Sequence, residues 1–280
     1  MSGVDISLLV GGPQGGGIES AGQVTVRALM LKGYDVIGTR EYHSNIIGAH
    51  SYFIIRARDT RVNSVKLPVD AVIALDAESV FTHLDDVREN GLFVYDLGTS
   101  NTNIDRIAPI SPALKRRVKE KLSSLNLKPI VEDAINYLRT HGIRTLGLPI
   151  KNMIKDVAER SGRSVASVAR VANTIGLAAA LAVLGVEREY VKRAVERFFA
   201  GRKHVIAINE IAVDLAYDYV LDSMRPQSLP DGPFKGERMI VSGNDIVAMG
   251  KIVGGLTIQT YYPITPAADE ALYMEGHRSI

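Results

Sequence analysis

The sequence of 280 residues contains no cysteine and no tryptophan. The absence of cysteine excludes disulfides, thiolate nucleophiles, thiolate zinc sites and cysteine-held iron–sulfur clusters within this chain. Any redox metal chemistry would therefore belong to a partner. The formal net charge of +2 is too small to indicate a nucleic-acid-binding protein, and we predict no nucleic-acid partner.

Targeting and membrane signals are also missing. The N-terminus has no basic segment followed by an apolar core of signal-peptide length, so we expect a cytoplasmic location. The most hydrophobic run, Val165 to Gly185, is rich in alanine and contains Arg170 and Asn173. These polar residues predict a buried helix and no membrane span.

Two groups of residues that could bind anions or metals have simpler interpretations. A basic cluster occupies mixed positions of a predicted helix, at Lys115, Arg116, Arg117, Lys119 and Lys121. A solvated helix face is favoured there over a binding patch. His43 and His50 lack the carboxylate or cysteine spacing of a metal site, so we expect surface or interface histidines and no metal ligands.

The first half of the chain alternates strand-like and helical segments. A strand at 5–10 leads into a glycine-rich turn at 11–17, which is followed by a helix at 18–32. Further strand-like runs lie at 34–38, 51–56, 71–75 and 92–95. This alternation predicts an open, mostly parallel, Rossmann-like α/β sheet.

The second half predicts a helical subdomain and then a boundary. From Pro129 to Met224 the pattern indicates helix after helix, with stops at Gly142, Gly147, Gly162 and Gly185. The proline- and glycine-rich segment 225–237 is predicted to be a linker. Residues 1–224 then form a first α/β domain, and 238–280 open a second α/β domain that is too short for an independent core. Either the chain is a fragment, or further polypeptide completes this second domain.

The glycine-rich turn is a candidate anion site. Backbone N–H groups in such a turn can approach an anion, and the field of the following helix favours negative charge. The candidate contacts to phosphate or carbonyl oxygens are Gly12, Gln14, Gly15 and Gly16. Ser20 stands where a dinucleotide fingerprint has its last glycine, which disfavours a dinucleotide-dependent dehydrogenase. Simple packing of a tight turn remains an equal alternative.

A second candidate site lies in Tyr262-Pro263-Ile264-Thr265-Pro266. Each proline fixes its own φ and pushes the preceding residue into an extended conformation, so Tyr262 and Thr265 are held out of helical geometry. A stiff bend of this kind can aim the Thr265 hydroxyl at a substrate. Local physics favours Thr265 as the cap of a helix that begins at Pro266 over a substrate contact, and both interpretations stay open.

Four motifs together carry a family resemblance. They are Gly11-Gly12-Pro13-Gln14-Gly15, the run 40–53, Gly243-Asn244-Asp245 and the motif 262–266. In this order they resemble the alpha subunits of archaeal 2-oxoacid:ferredoxin oxidoreductases, in which a gamma-type domain is fused ahead of an alpha-type domain. Val10 and Pro13 replace two glycines of the stand-alone gamma pattern, which agrees better with the fused form. The segment 238–280 matches only the start of the alpha-type, thiamine-dependent pyrimidine-type domain.

The resemblance implies an enzyme that oxidatively decarboxylates a 2-oxoacid such as pyruvate, 2-oxobutyrate or 2-oxoglutarate. Coenzyme A would take up the acyl group, and ferredoxin would accept the electrons. Thiamine diphosphate, Mg²⁺ and [4Fe-4S] clusters are then expected mainly in a partner beta subunit. This chain has neither cysteine nor a Gly-Asp-Gly metal loop, which agrees with that division.

The resemblance also implies roles for individual residues. Thr265 is the expected catalytic contact, to the carboxylate or carbonyl oxygen of the 2-oxoacid, and Tyr262, Pro263, Ile264 and Pro266 are expected to line the substrate site. Gly12, Gln14, Gly15 and Gly16 are candidates for contacts to coenzyme A. The substrate-binding arginine and the thiamine-contacting glutamate of the family have no counterpart here. The alternative function is a non-catalytic α/β nucleotide-binding or assembly module.

Overall fold

A computed structural model of the chain describes residues 3–13, 16–41, 50–264 and 267–277. It divides into two compact units, Met1–Lys235 and Gly236–Ile280. The first unit contains the sheet and most of the helices, and the second contains two helices among its described residues.

Six strands of the first unit form one sheet. They are β1 (Asp5–Pro13), β2 (Asp35–Glu41), β3 (His50–Arg58), β4 (Val69–Ala74), β5 (Val87–Asp96) and β6 (Arg144–Leu148). Their order across the sheet is β2-β3-β1-β4-β5-β6. The neighbours β1, β4, β5 and β6 run parallel, whereas β3 is antiparallel to both β1 and β2. The predicted α/β sheet is confirmed, with an antiparallel pair at one edge.

Eleven helices are found among the described residues. They are α1 (Ile18–Leu31), α2 (Ala77–Thr82), α3 (Pro112–Ser123), α4 (Val131–Thr140), α5 (Ile150–Ser161), α6 (Val165–Val168), α7 (Ala172–Leu184), α8 (Arg188–Phe198), α9 (Lys203–Ser223), α10 (Gly243–Val253) and α11 (Ala267–Gly276). Short 3₁₀ turns lie at Leu97–Thr99, Ile104–Arg106 and Ala169–Val171.

The helices cover both faces of the sheet. On one face, α2, α3 and α4 form a buried core with strand residues that include Leu9, Val72 and Phe93. On the other face, α1 packs against β2 and β3, and α7 packs against β4 and β5. Every residue of α7 from Thr174 to Leu184 is buried. By length and composition Val165–Leu184 could cross a membrane, but 72% of its most apolar window is buried inside the protein, as predicted for a core helix.

The prediction of uninterrupted helices from Pro129 to Met224 is wrong at one place. Arg144–Leu148 forms β6, so Gly147 lies within a strand and does not end a helix. The strand is only five residues long and lacks the run of β-branched residues that signals a strand. A Cβ at Gly147 would lie 2.5 Å from Leu97 Cδ2, so this glycine serves close packing.

The proline-rich segment lies against the first unit. Gln227 N donates to Val183 O at 2.8 Å, and Gly232 N donates to Lys32 O at 2.9 Å. The Tyr34 hydroxyl donates to Pro230 O. The backbone from 227 to 234 is therefore attached to the first unit, and the boundary between the units follows Lys235.

The second unit has little core of its own. Ser242 and Asp245 form a capping box that starts α10. Residues 257–261 are not part of a strand. Among the described residues of this unit, Ala248 and Ala271 are the buried hydrophobic ones. Lys251 and Glu270 join its two helices through an ion pair.

Candidate functional site

The strand order of the sheet changes direction between the neighbouring parallel strands β1 and β4. After β1, α1 returns over β2 and β3, whereas the chain after β4 continues through α2 to β5 on the other side. Open α/β sheets bind ligands in the crevice at such a switch point. The segment 11–17, hereafter the glycine loop, lies at this point, with Asp76 beside it at the start of α2.

The glycine loop ends at the N-terminus of α1. Gly12 is buried in β1, and Gly16 N donates to Pro13 O at 2.9 Å to close a turn. Gly17 precedes α1 with φ 95°, a left-handed conformation that suits glycine, and as the N-cap it offers no side chain to cap the helix. The first backbone N–H groups of α1 can therefore donate hydrogen bonds to an external anion. Gln14 and Gly15 lie outside the described residues.

Asn173, at the start of α7, holds the loop in place. Its Nδ2 donates to Gly16 O. A Cβ at Gly17 would lie 2.9 Å from the same nitrogen, so the loop and α7 meet at close range. The position of the α1 N-terminus is therefore set by α7 as well as by the sheet.

A pocket of about 380 Å³ opens in front of this junction. Its lining comes from α1, α6, α7 and α9 and from the turns between them, and its polar members are Ser20, Arg163, Ser167, Arg170, Asn173, Thr174, Arg202, His204 and Asn209. Three exposed arginines and an exposed histidine thus line the pocket together with Gly17, the residue that precedes α1. Among the described residues, none of the three guanidinium groups has an ion-pair partner. This arrangement is suited to a ligand with several negative charges.

The lining of the pocket also includes two buried polar side chains. Thr174 Oγ1 donates to Asn209 Oδ1 at 2.5 Å. Asn209 Nδ2 in turn donates to Val205 O at 2.8 Å. Because each group is already paired, these two residues are expected to shape the pocket, and the arginines to supply its charge.

Sequence reasoning did not identify this pocket. The three arginines lie in different segments: Arg163 between α5 and α6, Arg170 in the short turn before α7, and Arg202 just before α9. Their spacing along the chain shows no motif. In the sequence, Arg170 stands out only as a charged residue in an otherwise apolar run, which argues against a membrane span. The convergence of the three depends on how α6, α7 and α9 pack, which is a tertiary property.

His50 differs from its prediction as a surface or interface residue. It is 7% exposed, and its Nε2 lies 2.7 Å from Nε2 of the buried His83. His43 lies outside the described residues. Among those residues, no group of three or more His, Asp or Glu side chains is placed to hold a metal ion.

The C-terminal motif lies in the second unit. Ile264 N donates to Tyr262 O at 2.7 Å, which makes a three-residue turn centred on Pro263. Tyr262 is 76% exposed and Ile264 is 56% exposed. Thr265 and Pro266 lie outside the described residues, and α11 begins directly after them at Ala267.

The basic cluster on α3 has the solvated character that its pattern indicates. Lys119 pairs with Asp105 at 2.6 Å, and Lys121 pairs with Asp85. Arg116 and Arg117 are exposed.

Comparison with known proteins places these features in a family. Residues 7–219 match the family described as pyruvate ferredoxin/flavodoxin oxidoreductase. The chain is 54% identical over 280 residues to 2-oxoacid:ferredoxin oxidoreductase 2, subunit alpha, of Aeropyrum pernix, covering 99% of this chain and 44% of that protein. It is 33% identical to the 2-oxoacid:ferredoxin oxidoreductase subunit alpha of Saccharolobus solfataricus, covering 98% of this chain and 43% of that protein. The chain thus spans less than half the length of these relatives.

Two solved structures share the fold. The 2-oxoglutarate:ferredoxin oxidoreductase of Magnetococcus marinus, solved with 2-oxoglutarate, coenzyme A and succinyl-CoA bound, superposes with a TM-score of 0.67 at 22% identity, over 98% of this chain and 41% of that one. The keto/oxoacid ferredoxin oxidoreductase gamma subunit of Geobacter sulfurreducens gives a TM-score of 0.51 at 18% identity, over 78% of this chain and 99% of that one. Because the family match covers most of the first unit, the chain belongs to the pyruvate ferredoxin/flavodoxin oxidoreductase family.

Proposed function

We propose that this chain is part of the alpha subunit of a 2-oxoacid:ferredoxin oxidoreductase. The enzyme would convert 2-oxoacids such as pyruvate, 2-oxobutyrate and 2-oxoglutarate to acyl-CoA, with ferredoxin as the electron acceptor. The family membership and the 54% identity to the Aeropyrum pernix alpha subunit support this activity. We also propose that residues 1–224 are its gamma-type domain, that 225–237 are the linker and that 238–280 open the alpha-type domain.

The observation that carries the proposal is the cationic pocket at the α1 N-terminus. Coenzyme A bears a 3′-phosphate and a diphosphate, so it needs several positive groups at one place. Arg163, Arg170 and Arg202 can form charge-assisted hydrogen bonds to phosphate oxygens, and the α1 amides add further donors. Gly12, Gln14, Gly15 and Gly16 would then contact the co-substrate from the adjoining loop.

Calorimetric titration of the chain with coenzyme A tests this role. Coenzyme A should bind more tightly than dephospho-coenzyme A, which lacks the 3′-phosphate. Arg170→Met should weaken binding about tenfold or more, because a hydrogen bond to a charged group contributes about 1.5–3 kcal/mol. Arg116→Met is the matched control, since Arg116 is exposed on α3. Equal affinity of the two variants for coenzyme A would contradict the assignment.

The C-terminal motif would contribute to the 2-oxoacid site. We propose that the Thr265 hydroxyl donates a hydrogen bond to the carboxylate or carbonyl oxygen of the substrate and so orients it. Tyr262, Pro263, Ile264 and Pro266 would form an apolar wall. Such a wall excludes water, which favours loss of the charged carboxylate as carbon dioxide.

The cofactors of the reaction do not fit the described part of this chain. The sequence has no cysteine to hold a cluster, and the described residues contain no group of three metal-binding side chains. We therefore propose that thiamine diphosphate, Mg²⁺ and [4Fe-4S] clusters are held mainly by a beta subunit. The assembled enzyme is proposed to be cytoplasmic and to use ferredoxin as its redox partner.

The activity is tested in the assembled enzyme. The subunit that contains this chain would be co-expressed with a candidate cysteine-bearing partner and assayed for viologen reduction that requires both a 2-oxoacid and coenzyme A. Activity with pyruvate, 2-oxobutyrate or 2-oxoglutarate is expected. Binding of coenzyme A without such activity would favour a non-catalytic nucleotide-binding or assembly module.

A further inference from the structure

A chain of buried polar side chains lies beneath the glycine loop, on the face of the sheet that α2 covers. His83 Nδ1 lies 2.7 Å from Asp86 Oδ2, and His83 Nε2 lies 2.7 Å from His50 Nε2. At the far end, His50 Nδ1 lies 3.5 Å from Ser79 Oγ. The two histidines are 2% and 7% exposed, so water does not compete freely for these bonds.

These polar side chains lie against Gly11, the first residue of the glycine loop. A Cβ at Gly11 would lie 3.1 Å from His83 Cδ2, 3.1 Å from Ser79 Oγ and 3.2 Å from His50 Cε1. In the β1–β3 register, His50 is paired with Pro13 and Tyr52 with Gly11. The Tyr52 ring also contacts the His83 ring edge-on, with 4.9 Å between centroids. The histidine pair therefore supports the stretch where β1 turns into the glycine loop.

The hydrogen-bond partners determine where the protons lie. A carboxylate accepts, so His83 carries its proton on Nδ1, and the Nε2 of neutral His83 accepts from His50 Nε2–H. His50 Nδ1 then has a lone pair toward the Ser79 hydroxyl. If His83 takes up one extra proton at Nε2, this Nε2–H can donate to His50 Nε2. Neutral His50 must then carry its own proton on Nδ1. Two extra protons would place N–H groups face to face at 2.7 Å, which the pair can tolerate only by separating.

We propose that Asp86, His83 and His50 form a positioning relay that holds Gly11–Pro13, at the end of β1, in its ligand-binding position while the histidine pair carries no more than one extra proton. Separation of the pair moves the start of β3, which is hydrogen-bonded to β1 along Gly11–Pro13. The ligand-binding part rests on the proposed function, whereas the positioning part does not.

The surroundings of the relay are acidic. The described titratable groups at the relay are Asp86, which contacts His83, Tyr52 on β3, whose ring lies against both histidines, and Glu41 at the end of β2, whose charge acts on Tyr52. Asp85 adjoins Asp86 in the chain, and Asp76 lies 3.7 Å from a Cβ placed at Gly12. Burial raises the pKa of Tyr52, and the charges of Glu41 and Asp86 raise it further. Asp85 is compensated by Lys121 and Arg117 on α3. The close contact between the two Nε2 atoms opposes a second extra proton.

Nitrogen NMR of the chain with ¹⁵N-labelled histidine and glycine tests the relay across the range in which imidazoles titrate, about pH 5 to 8. His50→Gln and His83→Gln assign the signals. At the upper end, His83 should be the Nδ1–H tautomer and His50 the Nε2–H tautomer. On acidification the two together should take up one proton. Full protonation of both His50 and His83 in the folded chain, with unchanged Gly11 and Gly12 amide signals, would overturn the proposal.

Asp86→Asn supplies a conservative second variant. The amide keeps the shape of the carboxylate but lacks its charge, so His83 should lose its fixed tautomer and the Gly11 and Gly12 amide signals should shift. His141→Gln, at the exposed end of α4, should leave these amides unchanged. Unaltered tautomers in Asp86→Asn would refute the relay.

Coenzyme A titration at both ends of the pH range separates the two proposals. The relay predicts affinity that falls at least tenfold on acidification in the parent chain and that is already reduced at neutral pH in His83→Gln. Absence of coenzyme A binding at every pH would count against the proposed function, and the NMR result would still decide the positioning role. If the affinity for coenzyme A is equal at both pH values and His83→Gln binds normally, the relay does not affect ligand binding.

Discussion

Lys32 and Glu187, which are 155 positions apart, meet in a salt bridge at the edge of the first unit. Lys32 Nζ lies 2.8 Å and 2.5 Å from the two carboxylate oxygens of Glu187 and 3.2 Å from Asp231 Oδ1. The lysine side chain is 0% exposed, whereas the two carboxylates are about half exposed. The hydrogen bond from Lys32 is the main cause of the lowered pKa of Asp231. One buried ammonium group thus connects α1, α8 and the proline-rich segment.

This geometry predicts an asymmetric response to mutation. Lys32→Met should change the free energy of unfolding by less than about 1 kcal/mol, because the freed carboxylates can hydrate and an apolar group suits the buried position. The double variant Glu187→Gln/Asp231→Asn should lose about 3 kcal/mol, because it leaves a buried ammonium without a counter-charge. Urea unfolding measures both. Lys119→Met at the exposed pair with Asp105 is the control and should cost at most about 1 kcal/mol. Equal losses in the lysine and carboxylate variants would contradict the prediction.

Acid stability should depend on Asp5. Hydrogen bonds from Arg56, with a further contribution from Lys66, lower the pKa of Asp5 from 3.8 to about 2. The unfolded chain therefore binds more protons in this interval, so the stabilisation is complete above about pH 4 and is lost as pH falls toward 2. Asp5→Asn should cost roughly 1 kcal/mol at neutral pH after allowance for solvent screening. The difference in the free energy of unfolding between the parent chain and Asp5→Asn should shrink below pH 4. A difference that stays constant with pH would argue against the ion pair.

The Tyr217 hydroxyl should contribute through one buried hydrogen bond. It donates to Val186 O at 2.8 Å, and burial raises the pKa of the phenol. Tyr217→Phe keeps the ring and its contact with the Arg188 guanidinium but leaves a buried carbonyl without its donor. We expect a loss of about 1–3 kcal/mol in thermal or urea unfolding. Tyr190→Phe, whose hydroxyl bond to Asp231 is solvent-exposed, should change stability by about 0.5 kcal/mol or less.

Limited trypsin digestion should cut the linker near its C-terminal end. Lys235 is exposed and follows the stretch that is hydrogen-bonded to the first unit. Arg225 is also exposed, but Pro226 follows it and blocks cleavage there. Mass spectrometry should therefore find a first fragment that ends at Lys235. A digest in which no early fragment ends at Lys235 would contradict this prediction.

Thr265 can be tested as a catalytic contact and as a helix cap in the same preparation of assembled enzyme. A cap contributes about 1 kcal/mol to stability. A donor that acts in the transition state contributes on the order of a hundredfold in rate. Thr265→Ala should therefore lower kcat/KM strongly, and Thr265→Ser should retain much of it. If melting temperature falls while kcat/KM does not, Thr265 is only a cap.

The local parts of the fold could be predicted from the sequence. The strand, glycine loop and helix from Asp5 to Lys32 are specified by neighbouring residues, as are the capping box at Ser242 and the helix stops at Gly162 and Gly185. The missed strand β6 is short and is stabilised by pairing with β5. The antiparallel direction of β3 also depends on distant partners, which no short window of sequence contains.

Candidate site residues could be proposed from the sequence only where one segment contains them. The glycine loop is contiguous, so its residues could be named in advance. Arg163, Arg170 and Arg202 are brought together by helix packing. His50 and His83 are 33 positions apart, and their buried contact depends on how β3 meets α2. Side-chain chemistry that is assembled across elements therefore had no signal in the sequence.

The burial of α7 has a consequence for the order of events during synthesis. Translation releases residues 172–184 before α9, the helix at 203–223 against which α7 packs. At about 5–20 residues per second, the most apolar stretch of the chain spends seconds without this cover. Nascent chains paused after α7 should therefore bind a chaperone that recognises apolar segments, and chains extended beyond α9 should release it.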